Sequence, residues 1–558
     1  MFTLKAEIIS RNKSVLLESF DNEYFTLELV HEQLHVTANV KAKKDFVFKN
    51  LVITTEMKMD TDRVFFVNGY QTWTTSMEMD RNGKTPGVMN SLVKNDRILK
   101  KAGPMGDYTW TDDYGKKGCF HSYTLTYFRT KGSDFIEFYG SKSERNGFTI
   151  FQVDMNEGLF GIRKELEGME MKKGDEEQVI RVVKILDTYD NAFDEYFFRY
   201  LGLDKPEAPE INGYTTWYNY FGKVTEEDLL RDLESLDAVK EQVDIVQLDD
   251  GYQKATGEWL NIDEKKFPHG MKYLADRIHE KGYKAGLWLA PFSVEKKSRI
   301  VKKHPDWFIR EPGTRKMVFG GYNWSGSYVL DIYNPSVKEY LKKVFDTVFN
   351  EWGFDLVKLD FLYMVSIYPR KGKTRGELMS DGVDLLRELC GDKLILGCGV
   401  PLGPCFGKFD YCRIGCDADP DFKGRYYNKL HVANEVPSAE NAILSSLYRR
   451  GLNGRAFIND PDVFFLRDDN IEYTEEQKLL LAKVNKLSGG IRFMSDDIGT
   501  YSEKELEYLK MVFSKNETAI NMVENYGSST VVYFTENGEN RILRFNRKTG
   551  KGNAAKVF

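Results

Sequence analysis

Three stretches of the chain share one pattern: VDIVQLDD (residues 243–250), YKAGLWLA (283–290) and FDLVKLDF (354–361). Each is a short apolar run that ends on polar or aromatic side chains. Amphipathic stretches stand before and between them, namely EEDLLRDLESLDAVKE (226–241) and MKYLADRIHEKG (271–282). Short apolar strands that alternate with amphipathic helices are typical of a parallel βα architecture.

Eight strands of this kind can be counted after Ile211. The other five are GYTTWYNY (213–220), KLILGCG (393–399), YCRIGCD (411–417), GRAFIND (454–460) and GIRFMSD (490–496). Eight βα repeats over roughly 250–300 residues predict a (β/α)8 TIM barrel, which we place at residues 211–512.

The chain on either side of the barrel shows period-two alternation instead. Runs such as FTLELV (25–30) and DFIEFYG (134–140) predict an N-terminal antiparallel β-sandwich over residues 1–190. A helical linker is predicted at 191–210, where prolines mark its end. Alternation returns in STVVYFTE and NRILRFNRK, so we expect a small C-terminal antiparallel β domain at 513–558.

Composition excludes several classes of protein. Of 558 residues, 41% are hydrophobic and 29% charged, which excludes a disordered or fibrous chain. The 79 basic residues are outnumbered by 85 acidic ones and form no long run, so no nucleic-acid partner is expected. Charges interrupt the first twenty residues and no apolar run reaches about 18 residues, so we expect no membrane partner and a cytoplasmic location.

The cysteines and histidines do not form a recognisable metal motif. Five of the six cysteines (Cys390, Cys398, Cys405, Cys412 and Cys416) are close in sequence but lack paired CxxC spacing. The histidines, His431 among them, fall outside the predicted strand ends. We therefore expect no metal and no cofactor.

The catalytic residues of a TIM barrel lie at the carboxyl ends of its strands. Asp360 follows a buried strand, and Lys358, two residues earlier, points to the same side. A neighbouring cation keeps a carboxylate ionised, as a nucleophile at a sugar anomeric carbon requires. Arg413 and Asp417 repeat the arrangement two strands later. Two such carboxylates can flank one glycosidic bond, although any single Asp could equally cap a helix.

The second strand ends on the pair Asp249 and Asp250, which could hold a metal or clamp sugar hydroxyls. Because histidine is missing from the strand ends, we prefer the hydroxyl clamp. Trp288 and Trp217 offer flat faces for a pyranose ring, although either could fill the core instead.

Six ordered motifs carry a family resemblance: LDDGYQ, GLWLAPF, VKLDF, LGCGVPLG, RIGCD and NDPD. On these motifs the chain resembles the α-galactosidases of glycoside hydrolase family 36, over nearly its whole length. The resemblance implies a retaining glycosidase that releases terminal α-linked galactose from raffinose- or melibiose-type oligosaccharides by double displacement.

The resemblance also implies roles for single residues. It makes Asp360 the nucleophile and Asp417 the acid/base, with Asp419 and Asp421 as less favoured candidates for the second role. It places Cys398 near the sugar's C2 hydroxyl and sends Trp73 from the N-terminal domain into the site. The other positions implied to bind galactose are Asp249, Asp250, Trp288, Lys358 and Arg413.

Alternatives remain open at this stage. A galactosyl transferase or an α-N-acetylgalactosaminidase could use the same scaffold. A non-catalytic sugar-binding protein and a metal-dependent barrel hydrolase are candidates of other classes, against which the presence of both Asp360 and Asp417 and the lack of histidine at the strand ends argue. An oligomer is possible.

Overall fold

The computed structural model describes residues 2–32, 34–85, 105–422, 424, 433–515 and 517–558. Antiparallel sheets come first in the chain, a parallel barrel follows, and a small antiparallel sheet comes last. The predicted fold class is therefore confirmed, while the exact domain limits stay a prediction.

The N-terminal part packs two antiparallel sheets face to face over a shared apolar core. Their strands are β1 (Phe2–Ser10), β2 (Lys13–Leu17), β3 (Phe25–His31), β4 (His35–Ala42), β5 (Phe46–Glu56), β6 (Arg63–Val67), β7 (Met77–Met79), β8 (Cys119–Tyr123), β9 (Leu125–Thr130), β10 (Phe135–Ser141), β11 (Thr149–Asp154), β12 (Leu159–Lys164), β13 (Glu170–Met171) and β14 (Glu176–Thr188). One sheet has the order β2-β1-β5-β12-β11-β8, with β13 beside β5, and the other has the order β3-β4-β14-β10-β9-β6-β7.

The run SYTLTYF (122–128), which alternation predicts as one strand, is broken in the structure. Thr124 has a φ of +69°, a left-handed conformation rare for a β-branched residue, and it separates β8 from β9. The chain thereby crosses from one sheet to the other, because β8 pairs with β11 and β9 pairs with β10.

A helix over Tyr189–Asp194, continued as a π-helix over Glu195–Tyr200, leads to the barrel. The barrel strands are β15 (Ile211–Thr215), β16 (Ile245–Leu248), β17 (Lys284–Leu289), β21 (Leu356–Leu359), β22 (Leu394–Gly397), β23 (Tyr411–Arg413), β24 (Ile458–Asp460), β25 (Val463–Phe464) and β26 (Ile491–Met494). After β17, an insertion forms a small antiparallel sheet of β18 (Ser293–Glu295), β19 (Phe319–Gly321) and β20 (Ser327–Val329).

All neighbouring barrel strands are parallel, in the order β24-β23-β22-β21-β17-β16-β15-β26-β25. The seventh predicted strand, residues 454–460, is extended only at its end, as β24. After Pro461 and Asp462, where Asp462 has a φ of +77°, the chain is extended again as β25, which was not predicted. β24 pairs with β23, and β25 pairs with β26. The N–H of Gly490 also donates to the Asn459 carbonyl at 3.0 Å, so this interrupted strand closes the barrel.

Several helices around the barrel begin at side-chain caps that the sequence supplies. Thr225, Thr474 and Ser502 each form a capping box with the residue three positions later. The α-helices are Trp217–Tyr220, Glu226–Ser235, Gly270–Glu280, Arg299–Lys303, Pro335–Asp346, Arg375–Cys390, Ala439–Tyr448, Glu475–Ser488 and Glu503–Phe513, with a π-helix at Thr347–Glu351. Short 3-10 helices lie at Phe221–Lys223, Leu236–Gln242, Pro305–Trp307, Leu362–Ser366, Gly403–Cys405, Arg450–Leu452, Ile498–Thr500 and Ala554–Lys556.

The first barrel strand and the C-terminal sheet differ from the sequence prediction. The first barrel strand ends at Thr215, so the second half of GYTTWYNY is helical and not extended. The C-terminal sheet has three strands, β27 (Thr518–Tyr526), β28 (Ser529–Glu536) and β29 (Glu539–Asn546), of which alternation indicated the last two. Across the described ranges, no helix combines the length and apolarity of a transmembrane segment.

Candidate active site

A cavity of about 600 Å³ opens at the carboxyl ends of the barrel strands. Eight of the ten predicted site residues line it: Trp73, Trp217, Asp249, Asp250, Trp288, Lys358, Asp360 and Asp417. The other two, Cys398 and Arg413, are buried directly behind this lining. Asp417 reaches the cavity, whereas Asp419 and Asp421, the alternatives for its role, are not part of the lining.

Asp360 is buried, and each of its two carboxylate oxygens accepts a hydrogen bond. Its Oδ2 accepts from Trp288 Nε1 at 3.1 Å and its Oδ1 accepts from the Phe361 N–H at 2.8 Å. Burial raises the pKa of the Asp360 carboxyl above its ordinary value, while the charge of Lys358 and the hydrogen bonds from Trp288 and Cys398 lower it. The side chain is therefore fixed in orientation with its carboxylate form hydrogen-bonded.

Lys358 lies on the predicted side of the strand, but its direct ion-pair partner is Asp249. Its Nζ is 2.8 Å from Asp249 Oδ2, which also accepts from Gln247 Nε2 at 2.8 Å. Burial alone would lower the pKa of the Lys358 ammonium, yet the charge of Asp249 raises it above the ordinary value. Its ion pair is therefore with Asp249, while its charge still lowers the pKa of Asp360, which is the influence expected from the sequence.

Asp250 carries a different set of partners from its neighbour. Its Oδ1 accepts from Gln253 Nε2 at 2.6 Å, and its Oδ2 accepts from Trp324 Nε1 at 2.7 Å. Burial raises the pKa of Asp250 to about 6, and the two donors oppose that shift. Asp250 is thus oriented by neutral donors, whereas Asp249 is oriented by a cation.

Arg413 gathers three carboxylates around the sixth strand. Its guanidinium is 2.8 Å from Asp417, 3.0 Å from Asp460 and 2.6 Å from Asp462. Asp460 and Asp462 are buried, whereas the Asp417 side chain is 35% exposed. Burial raises the pKa of Asp462 to about 7 despite the Arg413 charge. Arg413 therefore holds Asp417 through Oδ1, while the rest of the Asp417 side chain stays accessible to solvent.

The N-terminal domain reaches the cavity through Trp73. Its Nε1 donates to Cys398 Sγ at 3.3 Å, and its ring packs edge-on against Phe361 with 5.1 Å between centroids. Trp217, from the barrel itself, is half-buried and packs edge-on against Phe221. Both tryptophans line the cavity, and Trp73 is at the same time buried in a small apolar cluster.

Arg449 fixes the position of the segment that carries Trp73. It is fully buried, and all five of its N–H groups donate to oxygens. The acceptors are Asn68 Oδ1 at 2.9 Å and the carbonyls of Gly69 at 3.2 Å, Gln71 at 3.0 Å, Thr72 at 2.6 Å and Ile414 at 2.9 Å. Four of these acceptors belong to Asn68–Thr72, so one barrel side chain docks the N-terminal segment.

Several lining residues were not found from the sequence. These are Met105, Gly222, Asn323, Trp324, Phe361, Glu435, Val436 and Pro437. Only Phe361, which directly follows Asp360, could have been found from the strand-end pattern. Trp324 and Phe361 have φ values of +58° and +56°, a strained conformation for aromatic residues that often marks a functional site.

No group of three or more His, Cys, Asp or Glu side chains is arranged as metal ligands in the described part of the chain. His431, one of the histidines considered above, lies outside the described residues.

Comparison with known proteins gives consistent matches. The family model described as Melibiase matches residues 215–377. The chain is 24% identical to the bifunctional alpha-galactosidase/sucrose kinase AgaSK of Mediterraneibacter gnavus over 369 residues, which are 58% of this chain and 37% of that one. It is 31% identical to the A type blood alpha-D-galactosamine galactosaminidase of Flavonifractor plautii over 126 residues, which are 21% of this chain and 12% of that one.

Among solved structures, TtGalA, an alpha-galactosidase from Thermus thermophilus in complex with p-nitrophenyl alpha-D-galactopyranoside, matches with a TM-score of 0.70. The identity is 22%, and the match covers 96% of this chain and 98% of that chain. The structural match confirms the fold, and the sequence matches confirm the resemblance to family 36 α-galactosidases. The chain spans much less than two thirds of the length of the curated relatives it matches, with 21% and 37% covered in two of them.

Proposed function

We propose that this protein is a retaining glycoside hydrolase that releases terminal α-linked galactose from oligosaccharides of the raffinose and melibiose type. One observation carries the proposal: Asp360 and Asp417, from two separate barrel strands, line one cavity in contrasting environments. Asp360 is buried and hydrogen-bonded, as suits a nucleophile, and Asp417 is partly open to water, as suits a group that must exchange a proton.

The proposed reaction has two displacements. In the first, Asp360 attacks the anomeric carbon while Asp417 gives its proton to the glycosidic oxygen, so a galactosyl ester forms and the leaving group departs. In the second, Asp417 takes a proton from water, which attacks the anomeric carbon and frees Asp360. The proton taken from water restores the protonated form of Asp417, and the product keeps the α configuration.

The remaining residues are proposed to bind the galactose ring. Asp249 and Asp250 offer carboxylate oxygens to sugar hydroxyls, and Trp288 offers a flat face beside Asp360. Cys398 and Arg413 act from behind the lining, through Trp73 and Asp417 respectively. A cytoplasmic location is also proposed, and the six cysteines support it because all of them are free thiols.

An α-N-acetylgalactosaminidase is the second candidate, because the relative from Flavonifractor plautii is named for an alpha-D-galactosamine, which like N-acetylgalactosamine carries nitrogen in place of the C2 hydroxyl of galactose. The test is hydrolysis of aryl α-galactoside and aryl α-N-acetylgalactosaminide, with and without EDTA, with the first sugar anomer followed by NMR. We expect the galactoside to be preferred, EDTA to have no effect and the α anomer to appear first. Preference for the galactosaminide would favour the second candidate, and binding without cleavage would indicate a non-catalytic sugar-binding protein.

A further inference from the structure

The cavity contains a further carboxylate that the proposed reaction does not use. Glu435 lies in the loop before the helix Ala439–Tyr448, lines the cavity and is only 3% exposed. Its neighbours Val436 and Pro437 line the same wall. Burying a glutamate costs free energy unless its oxygens accept hydrogen bonds. The hydrogen bonds that Glu435 already accepts therefore show how much acceptor capacity is left for a ligand.

Two hydroxyl groups orient Glu435. Tyr108 donates to Oε2 at 2.7 Å and Thr74 donates to Oε1 at 2.9 Å. Each hydroxyl in turn accepts a backbone N–H, from Asn434 at 2.6 Å and from Gln71 at 3.3 Å. Because both hydroxyls already accept, their own protons point to Glu435.

This arrangement makes Glu435 a fixed acceptor. A carboxylate has about four lone-pair sites, and the two hydroxyls occupy two of them, so Glu435, which lines the cavity, keeps acceptor capacity. Burial raises the pKa of Glu435 to about 7, while the hydrogen bonds from Tyr108 and Thr74 lower it. In mildly alkaline solution the side chain is therefore a carboxylate that can accept from a ligand hydroxyl.

The wall that carries Glu435 adjoins Asp417. The Ser438 N–H donates to the Asp417 carbonyl at 3.0 Å, which pins the end of this loop to the proposed acid/base. Asp249, Asp250 and Trp288 instead come from β16 and β17, on another part of the barrel rim. Since the acid/base protonates the glycosidic oxygen, the leaving group lies on the Asp417 side of the bond.

We propose that Glu435 accepts a hydrogen bond from a hydroxyl group of the leaving group and so makes the cavity selective for hydroxylated sugar leaving groups over aryl ones. The inference rests on the proposed α-galactosidase activity, and it names the substrate feature that the carboxylate recognises.

The test compares two substrates on the same variants at pH 8: melibiose, whose leaving group is glucose, and an aryl α-galactoside. Glu435→Met removes both acceptor oxygens at similar volume, and we expect kcat/KM for melibiose to fall about 10- to 100-fold. For the aryl substrate, kcat/KM of the variant should stay within about 3-fold of the wild-type value, because the aryl leaving group offers no such hydroxyl. Glu435→Gln, which keeps one acceptor oxygen, should lose less on melibiose than the Met variant does.

Glu144→Gln is the matched control, since Glu144 is also a buried glutamate but lies outside the cavity lining. It should not alter the ratio of the two substrates. Equal losses on melibiose and on the aryl substrate, or no loss on melibiose, would overturn the proposal. Absence of aryl hydrolysis by the wild type would instead contradict the proposed function.

A second measurement uses the unaltered protein in case the Glu435 variants do not fold. Melibiose analogues that each lack one hydroxyl on the glucose ring are compared with melibiose itself. At least one should lose about 10-fold in kcat/KM, because an unpaired buried carboxylate is left behind. If kcat/KM for every analogue stays within about 3-fold of the value for melibiose, Glu435 does not bind the leaving group.

Discussion

The two walls of the cavity are built in different ways. The barrel wall, which carries Asp249, Asp250, Lys358 and Asp360, consists of residues at the ends of hydrogen-bonded parallel strands. The docked wall carries Trp73, Met105 and Glu435, which come from the N-terminal domain and from a loop. The barrel wall is thus positioned by the continuous hydrogen-bond ladder of the parallel strands. The docked wall is positioned by side-chain hydrogen bonds between distant parts of the chain.

The walls also differ in electrostatics. On the barrel wall the cation of Lys358 compensates a carboxylate, whereas on the docked wall two neutral hydroxyls hold Glu435. We infer that the barrel wall provides the chemistry on the galactose ring and the docked wall provides the fit to what is attached to it. Substitutions on the barrel wall should then remove activity, and those on the docked wall should change substrate choice or affinity.

The largest expected effect is that of Asp360→Asn. An amide cannot form the glycosyl ester, so we expect turnover of aryl α-galactoside to fall by about 10⁴-fold or more. The fold should persist, because Asn has nearly the same shape and its one side-chain oxygen can still accept one of the two hydrogen bonds, from Trp288 or from the Phe361 N–H. Circular dichroism and the thermal midpoint check folding, and azide should rescue turnover to give a sugar azide of inverted configuration. Near-native turnover would assign the nucleophile elsewhere.

The next effect concerns recognition of galactose on the same wall. Asp250→Asn should lower kcat/KM for aryl α-galactoside by about 10²-fold, because a charge-assisted hydrogen bond to a hydroxyl is lost. No gain of α-glucosidase activity is expected, since the remaining groups still fit galactose. Asp250 gives a cleaner test than Asp249, whose removal would also leave Lys358 without its ion-pair partner.

The measurement is kcat/KM for matched aryl α-galactoside and aryl α-glucoside, on the wild type and on Asp250→Asn. If the wild type prefers the glucoside, or if Asp250→Asn stays within a few-fold of the wild type on the galactoside, the hydroxyl-clamp interpretation is wrong.

The same contrast separates what the sequence could predict from what it could not. Asp360 and the Asp249–Asp250 pair follow buried strands, and parallel strands bring their carboxyl ends to one rim, so their convergence followed from local pattern. Lys358 was placed correctly on its strand, but its ion-pair partner depends on the register of β16, β17 and β21.

The docked wall has no such local signal. Glu435 depends on Tyr108 and Thr74, which are 327 and 361 residues away in the chain. Trp324 reaches Asp250 from an insertion whose backbone must adopt a positive φ. Trp73 was found only through the family resemblance. Contacts between distant segments follow from tertiary packing, which periodicity does not encode.

The smallest expected loss of activity tests how the docked wall is held. Arg449→Met keeps an apolar stem but removes five donors, so Asn68, Gly69, Gln71 and Thr72 lose their shared partner. Buried acceptors without donors are costly, and we expect the free energy of unfolding to fall by about 2–4 kcal/mol. Because Trp73 lies in the loosened segment, KM for aryl α-galactoside should rise about 10-fold while kcat stays within a few-fold, since the barrel wall is intact.

Arg450→Met is the matched control: Arg450 lies over the Tyr189 ring at 3.9 Å, and its substitution should leave KM unchanged. Steady-state kinetics and urea denaturation check both variants. An equal rise in KM in the two variants, or a large fall in kcat with Arg449→Met, would mean that the two walls do not act separately.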